Sequence, residues 1–445
     1  MRKFILAIGD IAILYGALFL ALFLRYGSKI SENIGVHIVP FSIIFGIWVI
    51  VFYITNLYEI TTAKNNLGFY VTFAYSILAN AVISISFFYL IPFFDIAPKT
   101  NLFIFLAFAS AAEIGWRSGF NYTTSRSGYR NNVLIIGLSQ QAQELYDHLL
   151  GNPQLGYGPL GILDVQDISA TQIIEPLIRQ KDVKILVLDP EVYRIPRIVN
   201  ILYTLLEIKI NFYSLSEFYE AVTGKVPLGT IDQTWFLNNL TEGRKRLYEI
   251  SKRVYDIAGA LAIGIPSLLA YPFIALAVRS SSHGPIFFKQ KRKGRAGKIF
   301  YLYKFRSMIA DSPDGSAEGQ TGPKWTTEGD TRVTKVGGFL RRTRLDELPQ
   351  LWNILRGDMS FVGPRPERPE FHDTLKTEIP FYDERYLIKP GLTGWAQIKY
   401  KYGSSIHDAA EKLQYDLYYI KNRSLILDLG IILKTINIVA NKAGQ

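Results

Sequence analysis

The residues best placed to do chemistry are two adjacent acids, Asp346 and Glu347, in the string Leu340-Arg341-Arg342-Thr343-Arg344-Leu345-Asp346-Glu347-Leu348-Pro349-Gln350. An ionised carboxylate is a competent nucleophile toward phosphorus. The arginines just before it could take phosphate oxygens in forked hydrogen bonds. The neighbouring acid could hold Mg2+, a hard cation that binds carboxylates together with substrate phosphates. A plainer reading also fits: Asp346 as a helix N-cap, with Pro349 tolerated in the first turn. Downstream, Val362-Gly363-Pro364-Arg365-Pro366 sets Arg365 between two prolines, in a loop stiff enough to present a guanidinium to an anion or to serve only as a turn. Upstream, Lys304-Phe305-Arg306-Ser307-Met308 follows a strand-like run, and Gln290 to Lys298 is a basic turn with two glycines.

Other chemistries are excluded or unsupported. There is no cysteine, so disulfides, thiolate metal sites and cysteine nucleophiles are impossible, and five scattered histidines suggest no zinc cluster. Charge is uneven. Residues 244–308 carry 14 basic and 2 acidic groups, which accounts for essentially all of the formal net charge of +11. A nucleic acid, a membrane surface or a phosphorylated small molecule would suit such a window. No nucleic-acid motif accompanies it and it abuts an apolar segment, so phosphate or headgroup binding is the preferred reading.

The elements that must position these groups follow from the hydropathy pattern. The chain is 49% hydrophobic and 20% charged, with positive mean hydropathy, an unusual balance for a soluble enzyme. Four apolar stretches, Phe4–Leu24, Asn33–Tyr58, Asn65–Phe94 and Asn101–Trp116, predict four membrane crossings within 1–120, the last of them short. Arg2, Lys3, Lys64, Arg117, Arg126 and Arg130 then fall on one side and Arg25, Lys29 and Lys99 on the other, which puts both termini in the cytoplasm. Asp10 and Glu113 are expected near helix ends, close to water.

From 131 to 242 the pattern becomes α/β. Strands are expected at 133–136, 160–163, 185–188 and 209–213. A helix carrying Leu138, Ala142, Leu145 and Leu149 on one face should follow the first strand. A dinucleotide fingerprint would need G-x-G-x-x-G there; the chain has Gly137, Ser139 and Ala142, so the module reads as Rossmann-like but weakly equipped for a nucleotide. A C-terminal domain, 245–445, opens with Lys252-Arg253-x-x-Asp256 and an uncharged run from Ile257 to Val278. Basic residues flank that run on both sides, and Pro266 and Pro272 lie inside it. A single crossing would put one basic flank outside, so a broken, re-entrant helix over about 254–279 is expected. Leu425 to Ala440 is either a core helix or one lying in the interface.

Taken together, these strings resemble the bacterial polyprenyl-phosphate hexose-1-phosphate transferases, the monotopic-type phosphoglycosyl transferases. The resemblance covers roughly 245–440. It rests on Lys252-Arg253-x-x-Asp256, Lys304-Phe305-Arg306-Ser307-Met308, Asp330-x-Arg332-Val333-Thr334, Leu345-Asp346-Glu347-Leu348-Pro349-Gln350, Val362-Gly363-Pro364-Arg365-Pro366 and Pro390-Gly391-Leu392-Thr393-Gly394-Trp395-Ala396-Gln397. The four crossings, the Rossmann-like module, Gly224-Lys225-Val226-Pro227 and Trp235 resemble the long subfamily that initiates exopolysaccharide, capsule or O-antigen repeats.

The resemblance implies that Asp346 is the nucleophile, attacking the sugar-bearing phosphorus of a UDP-sugar and releasing UMP, and that undecaprenyl phosphate then takes the sugar phosphate. It implies Glu347 as the Mg2+ ligand, and Asp416 and Asp428 as supporting residues. Arg341, Arg365, Lys304, Arg306 and Lys298 are the candidate phosphate contacts. One departure is visible: the family's usual Ser-Pro break aligns with Leu268-Leu269 here.

The expected architecture is therefore a membrane protein with a four-helix transmembrane bundle, a Rossmann-like middle domain and an α/β catalytic domain with a re-entrant helix. It is expected to be a homodimer in the bacterial cytoplasmic membrane, its catalytic domain facing the cytoplasm, in contact with membrane lipids and with no nucleic acid. The rival readings are a non-catalytic membrane sensor that binds a nucleotide through the middle domain, and a nicotinamide-dependent sugar-nucleotide oxidoreductase.

Overall fold

A computed structural model describes residues 2–90, 99–126, 131–165, 168–207, 209–240, 245–312, 314–317, 330–400, 403 and 405–440. Arg130, expected on the cytoplasmic side, lies outside them. The chain divides into two compact units, Met1–Leu215 and Ser216–Gln445. The expected boundary at 242 thus falls inside the second unit.

The first unit begins with four helices, α1 (Arg2–Tyr26), α2 (Ile30–Ile54), α3 (Leu67–Leu90) and α4 (Lys99–Arg126). Two helical runs, Arg2–Ile54 and Leu67–Leu90, are long and apolar enough to cross a membrane. The first run turns back at Gly27–Lys29, where glycine takes φ +54°. Tyr15 of α1 consequently meets Ser42 and Phe45 of α2. The remaining neighbours are also antiparallel: Trp48 and Thr55 of α2 reach Ser84 and Ser76 of α3, while Arg25 and Asp10 of α1 reach Asn101 and Arg117 of α4. Asp10 and Glu113 are not near water. Both are fully buried, and Arg117 lies 2.6 Å from Asp10 and 3.7 Å from Glu113. A buried charge persists only when paired, and Arg117 of α4 meets Asp10 across to α1 and Glu113 one turn away on its own helix.

After these helices come β1 (Asn131–Ile136), α5 (Gln140–Gly151), β2 (Tyr157–Leu163), α6 (Ile168–Gln180), β3 (Val183–Leu188), α7 (Pro196–Thr204) and β4 (Asn211–Ser214). All four strands are parallel, in the order β2-β1-β3-β4. Helical connections between parallel strands are what the alternating pattern required. Ala142, Leu145 and Leu149 bury one face of α5, whereas Leu138 is exposed, because the helix starts only after Ser139 caps it.

The second unit opens with α8 (Leu215–Thr223), stopped at Gly224 with φ +71°, and α9 (Gln233–Asn239). Then come α10 (Arg246–Ser267) and α11 (Tyr271–Ser281), bent 66° from each other. Pro266 occupies the last turn of α10 and Pro272 the first of α11, so the break falls at Leu268–Ala270, where the family's break aligns. Leu261, Ile265, Leu268, Leu269, Phe273 and Leu276 are all exposed along this bent pair, an apolar surface far larger than a water-facing helix carries. An antiparallel hairpin follows, β5 (Phe287–Lys293) and β6 (Ile299–Phe305).

The rest of the unit is α12 (Lys335–Arg342), α13 (Gln350–Arg356), β7 (Ser360–Val362), α14 (Pro369–Glu378), β8 (Gly391–Thr393), α15 (Trp395–Lys399), α16 (Ile406–Asn422) and α17 (Leu425–Ala440). Strands β7 and β8 pair in parallel. The early segment belongs structurally here: Lys225 bonds Glu411, Glu220 bonds Lys421, and Gly224 accepts from the Trp395 indole. Helix α17 is a core helix on one face, where it buries Asp428, Ile431 and Lys434, and it exposes Ile426 and Leu429 on the other.

Candidate active site

The site forms where α12 ends and α13 begins. Thr334 caps α12 by accepting from the Gly337 amide. Gly337 is required by a close approach: a Cβ there would lie 1.8 Å from the Ser307 carbonyl oxygen. That approach places Ser307 to accept from Arg341 Nε at 2.9 Å. After α12 the chain reverses at Arg344, whose φ of +57° is left-handed, and a 3-10 turn, Leu345–Glu347, carries the two acids.

The N-cap reading of Asp346 is not realised. Pro349 occupies the cap position of α13, and Asp346 makes no capping bond. Its carboxylate is buried, Oδ1 has no hydrogen-bond partner, and Oδ2 lies 4.0 Å from Lys304 Nζ. Glu347 is held far more tightly. Its Oε1 lies 2.8 Å from Lys304, 3.5 Å from Arg365 and 3.6 Å from Arg344.

Electrostatics separates the pair. Burial pushes the Asp346 carboxyl above its ordinary range, and Glu347 beside it adds to the rise, against the pull of Lys304 and Arg341. Burial acts on Glu347 as well, but Lys304, Arg365 and Arg344 together outweigh it and hold that carboxyl well below the usual range. Two neighbouring acids driven in opposite directions are a common mark of a reactive site. One is fixed as an anion inside a cationic cradle. The other keeps one oxygen, Oδ1, without a hydrogen-bond partner, while its Oδ2 lies 4.0 Å from the Lys304 ammonium, a cation of the kind that suits phosphate.

The structure brings together Asp346, Glu347, Lys304 and Arg365, with Arg341 at the border through Ser307. It does not bring in Arg306, which is buried and donates to the carbonyls of Val278, Ser282 and His283, closing the C-terminal end of α11. Lys298 is exposed at the far end of the hairpin, six residues before Lys304 on β6 and so about 20 Å away along the strand.

The remaining singled-out residues hold the frame. Lys252 binds Asp428 at 2.7 Å, and that carboxylate also accepts from Tyr248, Tyr255 and Tyr419. Arg253 donates to the carbonyls of Ile354 and Leu355, the last turn of α13. Asp256 accepts from Ser360 Oγ and the Phe361 amide, both at 3.0 Å. Asp416 pairs with Arg385 at 2.9 Å, and Arg385 also donates to the carbonyl of Arg365.

Two residues were not singled out from the sequence. Ser307 follows Arg306 in a quoted motif, but only the approach of Gly337 shows what it meets. Gln350, the first residue of α13, is buried with Nε2 unpartnered, and its empty hydrogen-bonding capacity was not legible in the sequence.

The Gly137-Ser139 turn of the first unit is differently filled. Ser139 Oγ donates to Asp189 Oδ2 at 2.6 Å, and a Cβ on Gly137 would lie 2.3 Å from the Asp189 Cβ. A carboxylate thus sits beside the turn where a pyrophosphate would need its own negative charge accepted. This arrangement gives no support to a nucleotide sensor or a nicotinamide enzyme.

The site is thus a buried acid pair inside a cationic cradle, in the same unit as a bent helix pair with an exposed apolar surface. The bacterial sugar transferase family matches residues 247–442. The chain is 39% identical over 238 residues to the UDP-N-acetylgalactosamine-undecaprenyl-phosphate N-acetylgalactosaminephosphotransferase of Aeromonas hydrophila, covering 53% of each chain. It is 41% identical over 187 residues to the UDP-glucose:undecaprenyl-phosphate glucose-1-phosphate transferase of Escherichia coli (strain K12), covering 42% of this chain and 39% of that one. It is 40% identical over 195 residues to the exopolysaccharide production protein PSS of Rhizobium leguminosarum bv. phaseoli, covering 42% of this chain and 94% of that one. The matches to the first two span about half the length of those relatives or less. The chain belongs to the bacterial sugar transferase family.

Proposed function

We propose that this protein transfers a sugar 1-phosphate from a UDP-sugar to undecaprenyl phosphate, through a covalent intermediate on Asp346. The observation that carries the reading is the asymmetry of the acid pair: Glu347 is locked in a cage of three cations while Asp346 keeps a free carboxylate oxygen. An Asp346 oxygen attacks the sugar-bearing phosphorus. The bond from that phosphorus to the bridging oxygen breaks, and UMP leaves with the electron pair. A phosphate oxygen of undecaprenyl phosphate then attacks the same phosphorus, and the bond to Asp346 breaks, restoring the carboxylate. Neither step needs a proton from the enzyme.

Lys304 and Arg365 are placed to offset charge on the transferred phosphoryl group, as positioned cations do in phosphoryl transfer. Glu347 is the hard carboxylate donor that would hold Mg2+ together with phosphate oxygens. Bound there, Mg2+ would act as a Lewis acid on the diphosphate. The bent α10–α11 pair reads as a re-entrant element and the first four helices as four crossings. The parallel sheet reads as a Rossmann-like module, and the site then faces the cytoplasm of a bacterial inner membrane. The sequence relatives named for exopolysaccharide production and undecaprenyl-phosphate transfer support placing the reaction at the first membrane step of polysaccharide assembly.

The test uses the purified full chain with Mg2+ and a panel of UDP-glucose, UDP-galactose and UDP-N-acetylgalactosamine, with and without undecaprenyl phosphate. The expected result is UMP release from at least one donor and an added sugar-phosphate mass on Asp346 when the acceptor is withheld. Asp346→Asn should abolish both. Full turnover by Asp346→Asn would overturn the reading.

A further inference from the structure

Asn353 sits in α13 and is fully buried. Its carboxamide reaches across to the neighbouring hairpin. Nδ2 donates to the Tyr301 carbonyl at 2.7 Å, and Oδ1 accepts from the Tyr303 amide at 3.2 Å. Nδ2 also lies 3.5 Å from Asp358 Oδ2.

Both main-chain partners belong to β6, whose sheet has two strands among the described residues. One edge of β6 pairs with β5, which leaves the N–H and C=O groups of the other edge without a strand to meet. Alternate residues of an antiparallel strand turn both groups to the same side. Here Tyr301 and Tyr303 turn theirs toward α13. A carboxamide carries a donor and an acceptor side by side, as a backbone does. Asn353 therefore stands where a third strand would bond.

This pairing fixes the backbone that carries Lys304. Tyr303 immediately precedes it. Leu302, on the same face of the strand as Lys304, is buried in one cluster with Leu351 and Ile354 of α13. From that backbone the Lys304 ammonium reaches Glu347 at 2.8 Å and lies 4.0 Å from Asp346. The two acids lie in the turn just before α13, so acids and Asn353 share one stretch of chain while the lysine stands on another. A lysine is a point charge on a flexible stem. Its distance to two acids stays constant only if the backbone beneath it is held. The Asn353 main chain has a separate task, since its carbonyl accepts from the amides of Gly357, Asp358 and Met359. Substitution of the side chain leaves those bonds in place.

We propose that Asn353 is a positioning residue, whose carboxamide locks β6 to α13 and so sets the distance of Lys304 from the acid pair. The catalytic consequence rests on the transfer reading, whereas the placement of Lys304 can be measured without turnover.

The first measurement is competitive labelling of the full chain with trace acetic anhydride, reading Lys304 by mass spectrometry against Lys209, an exposed lysine of the first unit. Lys304 should label slowly in the wild type. It should label about fivefold faster in Asn353→Ala and in the isosteric Asn353→Asp, the factor that one net hydrogen bond is worth. Wild-type Lys304 labelling as fast as Lys209, or no change in either variant, would overturn the proposal. The second measurement is single-turnover UMP release from pH 5 to 9 at saturating UDP-sugar. Lys304, Glu347, Arg341 and Arg344 act on the Asp346 carboxyl, and the variants displace Lys304 alone among them. The fall in rate at low pH should therefore move to higher pH. In a Lys304→Met background, Asn353→Ala should leave the profile where it is, since no ammonium remains to be placed. A loss of equal size at every pH, or one that multiplies onto that of Lys304→Met, would overturn the positioning role. Absence of UMP release by the wild type would instead sink the transfer reading, and the labelling would still decide where Asn353 holds Lys304.

Discussion

Lys304→Met tests whether the cation keeps the nucleophile ionised. Lys304 Nζ lies 4.0 Å from Asp346 Oδ2, and it is the foremost of the groups that pull the Asp346 carboxyl downward against burial. At that separation, with an effective dielectric of about 20, one unit charge stabilises the carboxylate by about 4 kcal/mol. At 1.36 kcal/mol per decade this sets a ceiling of about a thousandfold loss of ionised Asp346 at fixed pH. Arg341 and Arg344 remain, so the fold change should fall below that ceiling. The sign follows from the raised carboxyl: activity is present above its pKa and lost as pH falls through it. Removing Lys304 should move that acid limb to higher pH, deepen the loss at pH 7 and allow recovery toward pH 9. The assay is single-turnover UMP release from pH 5 to 9 at saturating UDP-sugar. A loss of equal size at every pH, with the acid limb unmoved, would refute the claim that Lys304 acts through Asp346.

Two further substitutions probe the frame. Gly337→Ala should destabilise by roughly 1–3 kcal/mol through overpacking against the Ser307 carbonyl, despite the helix preference for alanine. Gly338→Ala, whose Cβ would meet only Val333 at 4.0 Å, should be neutral or stabilising, and thermal unfolding of the pair separates packing from propensity. Lys252→Met should cost about 3–5 kcal/mol by leaving Asp428 buried without its cation, and adding Asp428→Asn should recover part of that loss in the same measurement.

Period and spacing made much of this structure legible in the sequence. The four parallel strands fall close to the apolar runs that announced them, and β1 and β3, buried on both faces, read as short hydrophobic stretches. The acid pair, Lys304 and Arg365 were legible as residue types in stiff or helix-starting contexts. What spacing could not show is which charges meet. Arg306 and Lys304 sit two apart, so both pointed at the site as sequence, yet β6 ends between them, and Lys304 reaches Glu347 while Arg306 closes the end of α11. Asp10 and Glu113 seemed close to water because each lies near the end of an apolar run. The i,i+4 spacing already put Arg117 beside Glu113, but only the packing of α1 on α4 brings it to Asp10. The break in the bent helix shows a different limit. Its two prolines flank the bend rather than form it: Pro266 sits inside the last turn of α10 and Pro272 starts α11. A proline count therefore predicted a bend but could not place it.

The same bent helix connects its exposed apolar surface to both halves of the site. Arg253 of α10 holds the last turn of α13, whose other end follows Asp346. One turn further along α10, Asp256 holds the start of β7, the strand that leads into Gly363-Pro364-Arg365. Gly259, one turn further again, lets the helix approach Phe361 so closely that a Cβ would fall 2.8 Å from its ring. Three successive turns of one helix thus fix the nucleophile's helix and the arginine loop relative to the apolar surface. A donor arriving from water and an acceptor confined to lipid can share one carboxylate only if that carboxylate keeps a constant height at the boundary. Rigid attachment to the element that enters the lipid meets this requirement, whereas a site carried on a free loop would have to re-find its depth at every turnover. This explains why Lys252 and Asp256, charged residues in the first half of α10, are buried in frame contacts.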